Sequence, residues 1–151
     1  MGSSLHRGVI GAGVALALSV ALAACGETAS TSGFKGESHS VAQTISNFQT
    51  DVSAREQKKL CERDLAAAVT GRLTRSGGSC QAALKNQLLQ IDATSLTIET
   101  ITVNGKKATA RVKSTYSGKT AISALTLVNE GGHWKISGTT PIHVSAAPKK
   151  G

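Results

Sequence analysis

Beyond residue 94, three turn signals cut the chain into β-rich runs, and their close spacing restricts the fold more than any other feature of the sequence. Asn104-Gly105 is a strong hairpin signal, because a two-residue type I′ turn needs positive φ at both central positions. Ser117-Gly118 and Glu130-Gly131-Gly132 supply two further turns. The runs between them (95–103, 107–116, 120–128 and 133–137) are rich in Thr, Ile and Val, which suit a pleated, half-buried surface. Connections this short join antiparallel neighbours, so the spacing predicts a four-stranded meander. In the second run Ala108, Ala110, Val112, Ser114 and Tyr116 share one face, while Thr109, Arg111, Lys113 and Thr115 share the other. In the first run Leu96 and Ile98 are out of phase with Ile101 and Val103. That slip predicts a β-bulge near Glu99–Thr100, which would bend the sheet.

The preceding segment has helical periodicity. Val41, Ile45, Phe48 and Val52 recur at spacings that place them on one helix face, predicting a helix over 39–52. Ser53 and Glu56 have the S-x-x-E spacing of a capping box, which would open a second helix carrying Leu60, Cys61 and Leu65 inward. Residues 66–70 either continue that helix or begin a separate turn. Gly71 and Gly77-Gly78 are expected to break the pattern. A third helix over 80–89 puts Leu84 and Leu88 on one stripe. Helices followed by a meander predict an α+β domain, its helices packed on one sheet face, over residues 39–140 with a tail at 141–151.

The first residues are of a different kind. One fixed positive charge, Arg7, precedes an apolar run from 9 to 24 that is shorter than the roughly 20 residues a stable membrane span requires. A basic head and a short apolar middle read as a secretory signal over 1–24. The run ends Leu22-Ala23-Ala24-Cys25-Gly26, which resembles the lipobox of bacterial lipoproteins. The resemblance implies cleavage before Cys25, a diacylglyceryl group on its thiol, and a location on the extracytoplasmic face of the cell membrane. Two acyl chains can hold a protein that one cannot. The Gly/Ser/Thr-rich stretch that follows, with Cys25, is expected to be a flexible tether over 25–38.

Charge narrows the partners. The chain has 17 Lys and Arg against 9 Asp and Glu, a formal net charge of +8. Nucleic acid is disfavoured, because single-strand binding needs stacking rings and the chain has only two Phe, one Tyr and one Trp. An anionic lipid, an acidic wall polymer or an envelope protein suits an exported basic domain better, and solubility alone is the plain alternative. After Cys25 two cysteines remain, Cys61 and Cys80. An even pair in an exported domain predicts a disulfide, with two free thiols as the alternative. The pair lacks the further ligands a zinc site needs, and no cofactor is expected.

Several short segments carry a wider likeness: Phe48 and Asp51, Cys61, the Cys80–Leu84 run CQAAL, Lys107-Ala108-Thr109-Ala110, and Gly131-Gly132-His133-Trp134-Lys135-Ile136. Their order resembles the nuclear-transport-factor-2-like superfamily, in its branch of small secreted actinobacterial lipoproteins. The resemblance implies a cone of helices over a strongly curved sheet, often with a pocket between them. Enzymes of that superfamily place Asp, His or Tyr inside the cone.

Candidates for such chemistry here are Asp51, Asp92, Glu99, Tyr116 and His133, with His39 and His143 near the ends of the fold. Asp51 is expected to cap a helix junction, Asp92 to sit in a turn, and His133 to be a solvated loop residue. No spacing forces two of them together, and no catalytic residue is assigned. Val112, Tyr116 and Trp134 are the candidate pocket wall, and Arg111 and Lys113 the candidate partner face. Two function classes follow: a non-catalytic binding or accessory module at the cell envelope, or a carrier or enzyme for an apolar small molecule held in the cone. A filled core would favour the first.

Overall fold

The computed structural model describes residues 29–90, 95–116 and 119–142, with the backbone alone at Tyr116. The signal, Cys25, Asp92, the Ser117-Gly118 turn, His143 and the Tyr116 side chain lie outside the described residues.

The fold is α+β, with an N-terminal helical layer packed on a four-stranded antiparallel sheet. Helix α1 (Gly36–Ser53) buries Val41 and Ile45 and packs Phe48 and Val52 against the same core. It opens before the expected boundary. The preceding segment is also tied down, since Ala29 is buried and its N–H donates to Gln49 Oε1 at 2.8 Å. The stretch expected to be tether therefore belongs to the domain from Ala29 onward.

Ser53 and Glu56 do not form a capping box. They close α1 instead: Glu56 N–H donates to Asp51 O at 2.8 Å and Arg55 N–H to Val52 O at 3.1 Å, with Arg55 at φ +56°. This is the Schellman arrangement, which satisfies carbonyls that a helix end leaves open.

Helix α2 (Gln57–Lys59) runs directly into a π-helical turn, Leu60–Asp64. Leu65 N–H closes that turn onto Leu60 O at 2.9 Å. Extra-residue turns of this kind re-aim side chains and recur at functional sites. Here the turn buries Leu60, presents Glu62 and Arg63 outward, and hands the chain to the sheet through a parallel bridge between Leu65 and Ile136.

Helix α3 (Ala67–Gly77) contains Gly71 rather than breaking there. One glycine inside a helix costs only about 1 kcal/mol, which neighbouring contacts can offset. The Glu130 carboxylate, 63 residues further along the chain, supplies its first-turn acceptor, taking Ala67 N–H at 3.2 Å. Helix α4 (Cys80–Leu89) matches expectation, with Cys80, Leu84 and Leu88 buried and Ser79 Oγ accepting from Ala82 N–H at 3.1 Å. The Cys61–Cys80 disulfide ties the π turn to the start of α4.

Helices α3 and α4 meet closely at Gly77, where an added Cβ would lie 2.7 Å from Ala83 Cβ and 2.9 Å from Ala83 Cα. Gly77→Ala is therefore expected to destabilise the fold by about 1–3 kcal/mol, as overpacking does. A chemical-denaturation midpoint checks this, and an unchanged midpoint would show that the helices can separate freely.

The sheet is the meander β1 (Ser95–Asn104), β2 (Lys107–Tyr116), β3 (Lys119–Glu130), β4 (His133–Pro141) in sequential order. Gly105 holds φ +56° in the first turn, and Gly131 and Gly132 hold +60° and +87° in the last. The predicted bulge is present: the β1–β2 register slips between Ile98 and Thr100. Its effect is to restore phase, so Leu96, Ile98, Ile101 and Val103 all pack toward the core. A second slip occurs between Thr126 and Leu127 of β3, where β4 skips Ser137. That bulge was not anticipated, and β4 continues beyond it to Pro141, past the expected end. Ser137 Oγ, displaced by the bulge, donates back to Thr126 O at 3.0 Å.

The space between helices and sheet is packed by Val41, Ile45, Leu60, Leu127, Trp134 and Ile136, together with Ala108, Ala110 and Val112 of β2. Strand β2 supplies small residues where α1, the π turn, β3 and β4 supply large ones, which lets the layers interdigitate.

Candidate ligand groove

The site begins from three segments that the fold brings to one edge of the domain: the outer flank of α1, the π turn, and the first residues of β4. They enclose a groove of about 350 Å³ lined by Thr44, Asn47, Glu62–Asp64 and His133–Lys135. An adjoining groove of about 290 Å³ extends it past His39, Ser40, Gln43 and Gly132, sharing Thr44, His133 and Trp134.

Hydrogen bonds set the walls. Thr44 Oγ1 donates to Trp134 O at 3.3 Å, joining α1 to β4. Trp134 Nε1 donates to Glu37 Oε2 at 2.7 Å, so the indole is fixed from the first turn of α1. Lys135 Nζ donates to Glu62 O at 2.9 Å, joining β4 to the π turn. The Asn47 side-chain oxygen accepts from Gln43 Nε2 at 3.1 Å, which orients its amide along the helix surface.

Beneath the groove lie two buried carboxyls. Asp51 accepts from Arg63 Nη2 at 2.8 Å and lies 3.7 Å from Lys59 Nζ, which also pairs with Glu56 at 3.5 Å. Asp51 is thus not the expected helix cap. It sits on the inner side of α1 in the helix's last turn, where an ion pair makes its burial tolerable. Asp64, only 3% exposed, packs beside it, and its Oδ2 is buried without a hydrogen-bond donor among the described residues. Burial, and then the hydrogen bond and charge of Asp51, push the Asp64 carboxyl up to about 7 against the pull of Arg63 and Lys135.

The sequence candidates distribute unevenly around this site. Trp134 borders both grooves, with only 5% of its surface exposed. Val112 lines neither groove: it lies on the inner face of β2, inside the filled core. The side chains that line the groove are mostly polar, and Val112, a candidate for an apolar pocket wall, is not among them. His133 opens β4 after the glycine turn and lines the groove, and His39 lines its extension. Glu99 is the bulge residue and belongs to the other face of the sheet, where Arg111 Nε donates to its Oε2 at 2.6 Å. Lys113 is exposed on that same face.

Charge reversal there is expected to be mild. Arg111→Glu would lose an exposed pair worth about 0.2–1 kcal/mol and set two acids together. Lys113→Glu should fall within about 0.5 kcal/mol of the parent. Thermal unfolding of both variants checks the pair, and a large loss at Lys113 would contradict this placement.

Asp64 and Glu62 were not singled out in the sequence, nor were Asn47 and Thr44. The Glu62-Arg63-Asp64 triplet looks like an ordinary solvated helix face, and only the π turn brings it against α1 and β4.

Residues 79–139 match the protein family described as "Putative lumazine-binding". The match covers α4 and most of the sheet, including His133, Trp134 and Lys135 of the groove, while the helical wall precedes it. The α+β architecture agrees with the nuclear-transport-factor-2-like fold expected of such a domain. No curated protein and no solved structure matches the chain.

Proposed function

We propose that this chain is a small-molecule-binding domain that carries a planar, polar heterocycle of the lumazine kind in the groove between α1, the π turn and β4. The groove itself carries the reading: a concavity of about 350 Å³ falls in the size range of small-ligand sites and is bordered by fixed hydrogen-bonding side chains. The family match over residues 79–139 supports the ligand class. Asn47, Thr44 and His133 offer donors and acceptors to the edge of a heterocycle, with Trp134 beside them. Binding without turnover is the simpler role, since Asp64 Oδ2 is closed to solvent and His133 has no carboxylate partner among the described hydrogen bonds and salt bridges. A filled core by itself favours an accessory module presenting Arg111 and Lys113 to an envelope partner, but the polar groove at the edge of the domain and the family match over residues 79–139 outweigh it.

The test uses lumazine itself. Trp134 is the only tryptophan, so its fluorescence reports directly on the groove. Lumazine should change that emission saturably, and Asn47→Leu, which removes an amide from the wall, should weaken the effect. Binding that Asn47→Leu and Thr44→Leu both leave unchanged would move the site elsewhere.

The proposal includes an address: export, and a diacylglyceryl anchor on Cys25. Its support is the Leu22-Ala23-Ala24-Cys25 run after a short apolar segment. Cys25→Ser should leave uncleaved precursor, and normal cleavage with normal membrane partition would rule the anchor out.

A further inference from the structure

We infer that Asp51 and Asp64 hold one proton between them, and that this proton clasps the π-turn wall of the groove to helix α1, making ligand binding weaken when the proton is lost. The ligand arm of this inference rests on the groove reading above; the clasp itself does not.

Asp64 Oδ2 is buried and no donor among the described residues reaches it, and the Asp64 carboxyl has the carboxyl of Asp51 as its hydrogen-bonding neighbour. Two ionised carboxylates present only lone pairs to each other, so a bond between them requires a proton on one. Without it, a buried acceptor would stand unsatisfied beside a like charge, and either fault alone is costly. The surrounding charges assign the proton. Arg63 and Lys59 both pair with Asp51, and Glu56 shares Lys59. Arg63 and Lys135 lower the cost of charging Asp64, but burial and Asp51 outweigh them. Glu62 and His133 complete the ionisable groups lining the groove.

The pair is a clasp rather than a general acid, because a general acid must reach the group it protonates. Asp51 lies on the inner side of α1, and the Asp64 oxygen at issue is closed to solvent. What the pair touches is the wall: Asp64 ends the turn that contributes Glu62 and Arg63 to the groove. Loss of the proton sets two buried negative charges in contact and drives the π turn from α1. A ligand fitted to the groove as built therefore binds the protonated form.

The sign of the stability effect follows from the raised value. Between the unfolded value of 3.8 and about 7 the folded chain holds more protons at Asp64 than the unfolded chain. Its contribution to stability is full below that window, falls as pH rises through it, and is level above.

Two measurements decide the matter. The first is carboxyl ¹³C NMR of the ligand-free protein from pH 4 to 9. The clasp predicts that the Asp64 resonance moves in a step near neutrality; its titration below pH 5 would overturn it. The second is lumazine affinity, read from Trp134 fluorescence at pH 5.5 and 8.5. Wild type should bind at least about fivefold more tightly at the lower pH. Asp64→Asn, whose amide donates to Asp51 at every pH, should lose that dependence. A dependence that persists in Asp64→Asn arises elsewhere and overturns the coupling. If lumazine fails to bind at either pH while Asp64 titrates near neutrality, the groove reading falls and the clasp stands.

Discussion

Leu60→Ala is expected to cost about 2–5 kcal/mol, the range for removing a buried leucine side chain from a packed core. Leu60 is 1% exposed and belongs, with Val41, Ile45 and Leu127, to the most deeply buried large side chains. It also begins the π turn, and its carbonyl accepts the Leu65 N–H that closes that turn. Few substitutions touch both layers at once. Truncation leaves a void where the helical layer meets the sheet, and the disulfide one residue further on restrains the turn from collapsing into it. Urea denaturation should show a lowered midpoint with an unchanged slope, since the surface exposed on unfolding stays nearly the same. A loss below about 1 kcal/mol would mean that the site collapses fully, and that the turn is less fixed than its hydrogen bonds indicate.

Removing the disulfide is expected to be comparably severe. Cys61 and Cys80 are 19 residues apart, and closing a loop of that size restricts the unfolded chain by about 3 kcal/mol, within an observed range of about 2–5. In a domain of this size that corresponds to a melting temperature lower by on the order of 10–25 °C. Its position adds a functional consequence. The bond holds the π turn to α4, so reduction also frees the groove wall formed by Glu62, Arg63 and Asp64. The double Cys61→Ala, Cys80→Ala variant should therefore lose lumazine affinity at temperatures where it is still folded. Calorimetry beside a fluorescence titration separates the two effects. An unchanged melting temperature would show that the packing of Leu84 and Leu88 alone fixes α4.

The sheet was legible in the sequence because its signals are local. The turns at Gly105 and at Gly131-Gly132, alternation along β2 and the phase slip in β1 each depend on a few adjacent residues, and each matches a structural feature. The faces of α1 and α4 were legible for the same reason. The Ser137 bulge was not, because its β4 signal, Ser-Gly-Thr-Thr, has no apolar residue to show a change of phase. Ser53 and Glu56 misled because the spacing of a capping box also fits a helix end, and tertiary geometry chose the end. The groove was largely hidden. Trp134 and His133 stood out as rare residues, but Thr44 and Asn47 lie on the polar flank of an amphipathic helix. Asp64 was hidden by its setting: in Glu62-Arg63-Asp64 it reads as solvated, and its burial comes from a π turn that no periodicity announces. Asp51, by contrast, was noticed for the wrong role, because a cap needs only a local partner and Arg63 reaches it from the next element.

The central claim is that the groove between α1, the π turn and β4 binds a lumazine-like molecule. It is tested most directly by mapping amide chemical shifts in the ¹⁵N-labelled protein during titration with lumazine. The account predicts saturable changes centred on Thr44, Asn47, Glu62, Arg63, Asp64 and His133 through Lys135, with β1 and β2 unmoved. Shifts centred on the Arg111 and Lys113 face, or none up to the solubility limit of lumazine, would contradict it.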